Sequence, residues 1–123
     1  MDRAGIIDFR ANNERPEHLA RKAQALHLAD RTSEALEAIN EAQALAARSG
    51  EHRWPPELHR LRGVFLAALG AEETQIEASF QAAIRIAKEQ KSVLLEKRAE
   101  ATYAEYRRQK ASGSGGRGFR LPL

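Results

Sequence analysis

Apolar side chains recur at helical spacing in five successive stretches, each bounded by residues that start or stop helices. The first fourteen residues show no such period and lead into the polar, turn-forming "ANNER". Pro16 then suits the first turn of a helix, where its missing N–H costs nothing, and Leu19, Ala23 and Leu26, continued by Ala29, form one face. Asp30 to Ser33 breaks the pattern, and Thr32 or Ser33 is placed to cap a second helix. Ala35, Leu36, Ile39, Ala42, Leu45 and Ala46 line one side of that helix, Glu34, Glu37 and Glu41 the other, and Gly50 is placed to end it. Pro55 and Pro56 bar a continuous helix, so a third begins there, carrying Leu58, Leu61, Phe65, Leu66 and Leu69 up to Gly70. Thr74 to Glu77 has the form of a capping box for a fourth helix, with Ile76, Phe80, Ala83, Ile84 and Ala87 inward. Ser92 is placed to cap a fifth, with Leu94, Leu95, Ala99, Thr102, Tyr103 and Tyr106.

The chain also repeats itself. Shifted by 41 residues, the second helix falls on the fourth: Ala35 on Ile76, Ile39 on Phe80, Ala42 on Ala83, Leu45 on Ile86 and Ala46 on Ala87. Shifted by 40, the first falls on the third, with Ala23 on Gly63 and Leu26 on Leu66. The pairs Lys22-Ala23, Arg62-Gly63 and Arg98-Ala99 hint at a third copy. A period near 40 with two helices per unit predicts stacked helical hairpins. Gly63 has a place in such a stack. Within a helix it costs up to ~1 kcal/mol relative to alanine. Close crossing of two helices requires a residue of that size. Gly63 is therefore expected to face Ala83 or its neighbours.

In these features the chain resembles the tetratricopeptide repeat family. The resemblance covers roughly residues 16–110: a small residue at the eighth position of each unit (Ala23, Gly63), leucine at the eleventh (Leu26, Leu66), and the second-helix trios Ala35–Ile39–Ala42 and Ile76–Phe80–Ala83. Long repeats of this kind occur in bacterial signalling proteins, and the stretch from "RWPPELHRLRGVFLAALG" to "AEYRRQ" resembles the terminal repeats that follow ATPase modules in large bacterial cyclases and transcriptional regulators. The chain departs from the family at His59, where a large apolar residue is usual, and its unit exceeds the common length of about 34 residues. The resemblance implies an all-α, α–α superhelix of antiparallel hairpins. It would comprise about two and a half units, with the fifth helix closing the stack. So short an array would gain apolar contact by homodimerising or by belonging to a longer chain. The expected organisation is an N-terminal extension over residues 1–14, the repeat domain over 15–110, and a flexible Gly/Ser-rich tail over 111–123.

Composition narrows the classes of function. Cysteine is absent, excluding disulfides and thiol nucleophiles and favouring a cytoplasmic setting. No apolar run reaches the ~20 residues of a membrane span. The net charge of +3 is unevenly placed: residues 1–105 carry 15 basic and 17 acidic side chains, while residues 106–123 carry five basic and no acidic ones. A nucleic-acid role would therefore rest on the tail, where arginines among glycines, with Phe119, resemble segments that bind RNA by charge and stacking. A solubilising terminus accounts for the same composition. "FRLPL" could also be a docking peptide, or pack back on a hydrophobic groove.

Catalytic chemistry has little to build on. None of the pairs among His18, His27, His52 and His59 has the i, i+4 spacing of a zinc helix, and "GSGGRG" precedes no helix. No catalytic residue, metal or cofactor is expected. Trp54 is read as a staple at the start of the third helix, with an exposed anchor as the other reading. The family resemblance implies a concave face lined by Gln24 and His27 in the first unit and by Arg60, Val64 and Ala67 in the second, with Arg98 beside them. Arg21, Lys22, Arg60, Arg62, Lys97 and Arg98 would make that face a mildly basic channel for an acidic protein or peptide partner. The same arginines could instead lie along apolar surface, paired with glutamates. The function expected is non-catalytic protein–protein interaction in bacterial signalling or regulation.

Overall fold

Five α-helices follow one another in the computed structural model, which describes residues 16–48, 55–113 and 118–123. They are α1 (Pro16–Leu28), α2 (Thr32–Arg48), α3 (Pro56–Ala68), α4 (Glu73–Glu89) and α5 (Val93–Ala111). The fold is all-α, with no strand among the described residues. α1 packs on α2 and α3 on α4 as helical hairpins, and α5 closes against α4 and α3. The periodicity is visible in the lengths: α1 and α3 are 13 residues each, and α2 and α4 are 17 each. The positions read as Gly50 and Trp54, and His52 between them, lie outside the described residues.

The helix ends follow the same repeat. Asp30 and Gly70 occupy equivalent places and both adopt the left-handed conformation, with φ of 67° and 74°. After each, an amide reaches back to the last turn: Arg31 N–H to the Leu26 carbonyl at 2.8 Å, and Ala71 N–H to the Leu66 carbonyl at 2.9 Å. This Schellman closure satisfies carbonyls left open at a helix end and turns the chain sharply. Lys91 repeats it after α4, at φ 59°, with Ser92 N–H on the Ala87 carbonyl at 2.9 Å. Ser92 then caps α5 as its sequence predicts, its hydroxyl accepting from Leu95 N–H at 3.4 Å.

The capping box expected at Thr74 does not form. The N-cap of α4 is Glu72, with no side-chain cap, and Thr74 is exposed within the first turn. Two causes are visible. The closure at Gly70 leaves only Ala71 and Glu72 before the helix resumes, so Thr74 is already inside it. Glu77 also faces away from the cap, 3.8 Å from Lys110 of α5, which pairs with Glu73 as well. Acidic Glu72 and Glu73 suit the positive end of the helix dipole. Leu94, predicted inward, is 71% exposed on α5.

The core joins both hairpins. Ala35, Ala38, Ile39, Ala42 and Ala46 of α2 are buried, and so are their 41-residue counterparts Ile76, Ser79, Phe80, Ala83 and Ala87 of α4. Gly63 explains itself here. A Cβ on it would stand 2.7 Å from the edge of the Phe80 ring, one helical turn before the expected Ala83. The equivalent positions of the first hairpin carry Ala23 and Ile39, a larger residue and a smaller one, both fully buried. Volume is redistributed between the paired positions while the fold is kept, the kind of exchange cores tolerate best. His59 takes the position that Leu19 has in α1. It is half-buried, and burial, with Arg85 and Arg62 adding repulsion, lowers its pKa to about 4.

Gly63→Ala should improve helix propensity yet lower stability, because overpacking against a ring held on its far side costs ~1–3 kcal/mol. In a Phe80→Leu background the same substitution should be neutral or stabilising, so urea unfolding of the four proteins should give a coupling of ~1–2 kcal/mol. His59 gives a second expectation. Unfolded, it takes its proton near pH 6.5, and folded only near 4. The unfolded chain therefore binds more protons in that window, and stability should fall as pH drops from 6.5 towards 4. His59→Asn should flatten that slope in urea titrations at pH 7 and 5.

Candidate functional site

Arg60, Val64 and Ala67 stand at i, i+4 and i+7 on α3, so they share one face. Thr102, Tyr106 and Gln109 have the same spacing on α5. Residues 118–123 lie against these two faces. This segment belongs to the Gly/Ser-rich tail expected to be flexible, with packing back on a hydrophobic groove as the other reading. Here Phe119 is 7% and Leu121 6% exposed. Burial alternates along the segment: Phe119 in, Arg120 out, Leu121 in, Pro122 out, Leu123 half in. A period of two is that of extended chain.

The main chain is held at each end and in the middle. Phe119 N–H donates to the Ala67 carbonyl at 2.9 Å, at the end of α3. Gly118, at φ +97°, passes so close to the Ala68 carbonyl oxygen that no Cβ fits. The Gln109 side-chain amide grips Arg120 on both sides: its Nε2 donates to the Arg120 carbonyl at 3.0 Å, and its Oε1 accepts from the Arg120 N–H at 3.2 Å. The Phe119 ring rests on Tyr106, with centroids 4.6 Å apart and planes tilted by 56°. Behind it, Tyr106 meets Phe80 at 6.0 Å, and Phe80 stacks on Tyr103 at 5.6 Å.

Arg60 anchors the far end. Its side chain is only 2% exposed, an unusual burial for a charge, and all five of its N–H donors have acceptors. Nε and Nη2 fork onto Glu57 at 3.2 and 2.5 Å, Nη1 reaches Thr102 Oγ1 at 3.2 Å and the Pro122 carbonyl at 3.4 Å, and Nη2 donates to the Leu123 main-chain oxygen at 2.6 Å. Thr102 in turn donates to the Arg98 carbonyl at 3.0 Å. Neutralisation by Glu57 and full hydrogen bonding together offset the cost of removing this guanidinium from water.

Of the residues assigned from sequence to the concave face, Arg60, Val64 and Ala67 lie on the α3 face beneath the 118–123 segment, all buried. Arg98 is half-exposed on α5 and meets the same Glu57 carboxylate at 3.3 Å. Arg60 thus lines no open channel; its charge is matched locally. Arg21, Lys22 and Lys97 remain on the surface. His27, half-buried at the end of α1, lies 2.9 Å from Thr32 Oγ1 through Nδ1, and its ring sits 5.1 Å from that of Phe65. Burial lowers its pKa, partly opposed by Asp30. His27 and the 118–123 segment face one another across an open cleft of about 810 Å³. Gln24 is half-buried on α1. Sequence reasoning missed Thr102 as an acceptor for Arg60 and Gln109 as the grip on Arg120. Their spacing with Tyr106, and the alternation in "FRLPL", were the available signals.

No protein-family model matches the chain, and no solved structure matches it. An uncharacterised protein of Rhizobium meliloti is 32% identical over 90 residues, a stretch that is 73% of this chain and 9% of that protein. The chain thus spans less than a tenth of that relative's length. No helix among the described residues is long and apolar enough to cross a membrane.

Arg60→Lys keeps the charge but cannot fork onto Glu57 while also serving Thr102 and two main-chain oxygens. It should cost ~1–3 kcal/mol in urea unfolding, since hydrogen bonds involving charged groups are lost from a buried site. Arg120→Ala, which removes an exposed side chain and leaves the gripped main chain intact, should stay within ~0.5 kcal/mol of the parent.

Proposed function

We propose that the chain is a non-catalytic protein–protein interaction module, a short tetratricopeptide-like scaffold acting in the cytoplasm in bacterial signalling or regulation. One observation carries this reading: the α3 and α5 faces hold an extended segment by its main chain, through Gln109, Arg60 and the Ala67 carbonyl, while apolar side chains pack between the points of attachment. Main-chain bonds for affinity and alternate side chains for selectivity are how extended peptides are commonly recognised. Support also comes from the hairpin repeat, with its matching helix lengths, closures and buried positions. The alignment to a small part of a much longer bacterial protein fits a module serving a larger machine.

The nucleic-acid reading depended on the tail, and its one aromatic, Phe119, is packed on Tyr106 and so is not presented for base stacking. The two readings separate by capture from bacterial extract with the whole chain as bait. A protein partner should stay bound after nuclease treatment and in salt of about 0.5 M, where exposed charges are screened beyond a few ångströms. Capture abolished by nuclease, or falling steeply with salt, would return the tail to a nucleic-acid role. Failure to retain any protein would end the scaffold reading.

A further inference from the structure

We infer that residues 118–123 are an in-built occupant of a peptide site between α3 and α5. The ligand class of that site is then an extended segment of the pattern Gly-Phe-x-Leu-x-apolar, which must displace the chain's own copy. This rests on the interaction-module reading and goes beyond it by naming the ligand and what stands in its way.

Each position of the pattern is read from a contact. The first is glycine, because a side chain there would run into the Ala68 carbonyl and the backbone takes a left-handed φ of +97°. The second is a large aromatic, set on the Tyr106 ring and fixed by its N–H on the Ala67 carbonyl. At the third, Gln109 holds only the main chain, and the Arg120 side chain is exposed, so the site accepts any residue there that carries an N–H. The fourth is buried and apolar, as Leu121 is. The fifth points outward and offers its carbonyl to Arg60, which also takes the main-chain oxygen of the sixth. The sixth, Leu123, is partly buried against the core, so side-chain selection lies at the first, second, fourth and sixth positions. The main-chain contacts would be made with any segment that presents those side chains.

The covalent arrangement makes the occupant a competitor. α5 ends at Ala111, and only six residues, Ser112 to Arg117, separate it from Gly118. A segment on so short a tether acts at an effective concentration in the millimolar range. A free peptide of equal intrinsic affinity therefore binds the whole chain weakly until the tethered copy is disabled. Selection of this kind lowers apparent affinity by the fraction of sites left open.

A fluorescein-labelled peptide with the sequence of residues 118–123 tests this by anisotropy against the whole chain and against its Phe119→Asp/Leu121→Asp variant. The variant should bind the peptide at least ~10-fold more tightly than the parent, and adding Gln109→Ala to the variant should weaken that binding. Equal affinity for parent and variant would overturn the inference, as would no binding by a variant with unchanged helical circular dichroism. Hydrogen exchange on the unaltered chain covers the case in which the variant does not fold. Excess unlabelled peptide should speed exchange at the Phe119 and Arg120 amides while the α3 amides stay protected, and no change at high peptide concentration would overturn the inference. Partner capture with no peptide exchange would place the partner elsewhere and leave the scaffold reading standing. Peptide exchange without partner capture would do the reverse.

Discussion

The near-contact between the backbone of Gly63 and the ring of Phe80 organises the second half of the molecule. With no Cβ on α3 at that point, α4 brings an aromatic ring where its counterpart α2 carries only Ile39. That ring becomes one wall for Tyr103 and Tyr106 of α5, and Tyr106 becomes the seat for Phe119. A side chain absent from one helix is felt three contacts away, at the segment that lies against α3 and α5. The entropic cost of glycine in a helix is local, whereas the packing it permits is shared by four parts of the chain.

Arg60 provides the polar counterpart. Its partners come from its own helix (Glu57), from α5 (Thr102) and from residues 122 and 123, so one buried charge ties three segments together. Glu57 accepts from Arg98 as well. The arrangement is specific because every donor of a rigid fork must find its acceptor, and costly to disturb because an unmatched guanidinium would remain in a dry place.

What could be read in the sequence divides along physical lines. The five helices from residue 16 onward, the hairpin period, Gly70 as a stop, Ser92 as a cap and the buried trios of α2 and α4 all follow from local spacing, and all are present among the described residues. Thr74 misled because its motif is local while its outcome is not: the turn at Gly70 starts the helix early, and Lys110 draws Glu77 away. The side-chain environment of Arg60 could not be foreseen from neighbours in sequence, since its acceptors stand up to 63 residues away. Composition marks the tail as Gly/Ser-rich and so flexible, a signal that hides two buried apolar side chains, although the alternation in "FRLPL" is that of extended chain.

Gln109 has one further consequence. Its amide offers a donor and an acceptor together, as a neighbouring strand would, and so requires a residue with a free N–H. If the segment slipped by one place, Phe119 and Leu121 would turn towards water. A slip of two that moved the segment back towards its N-terminal side would restore the inward faces but bring Pro122, which has no N–H, to the amide. Pro122 thereby bars that slip from a position where its own ring faces solvent.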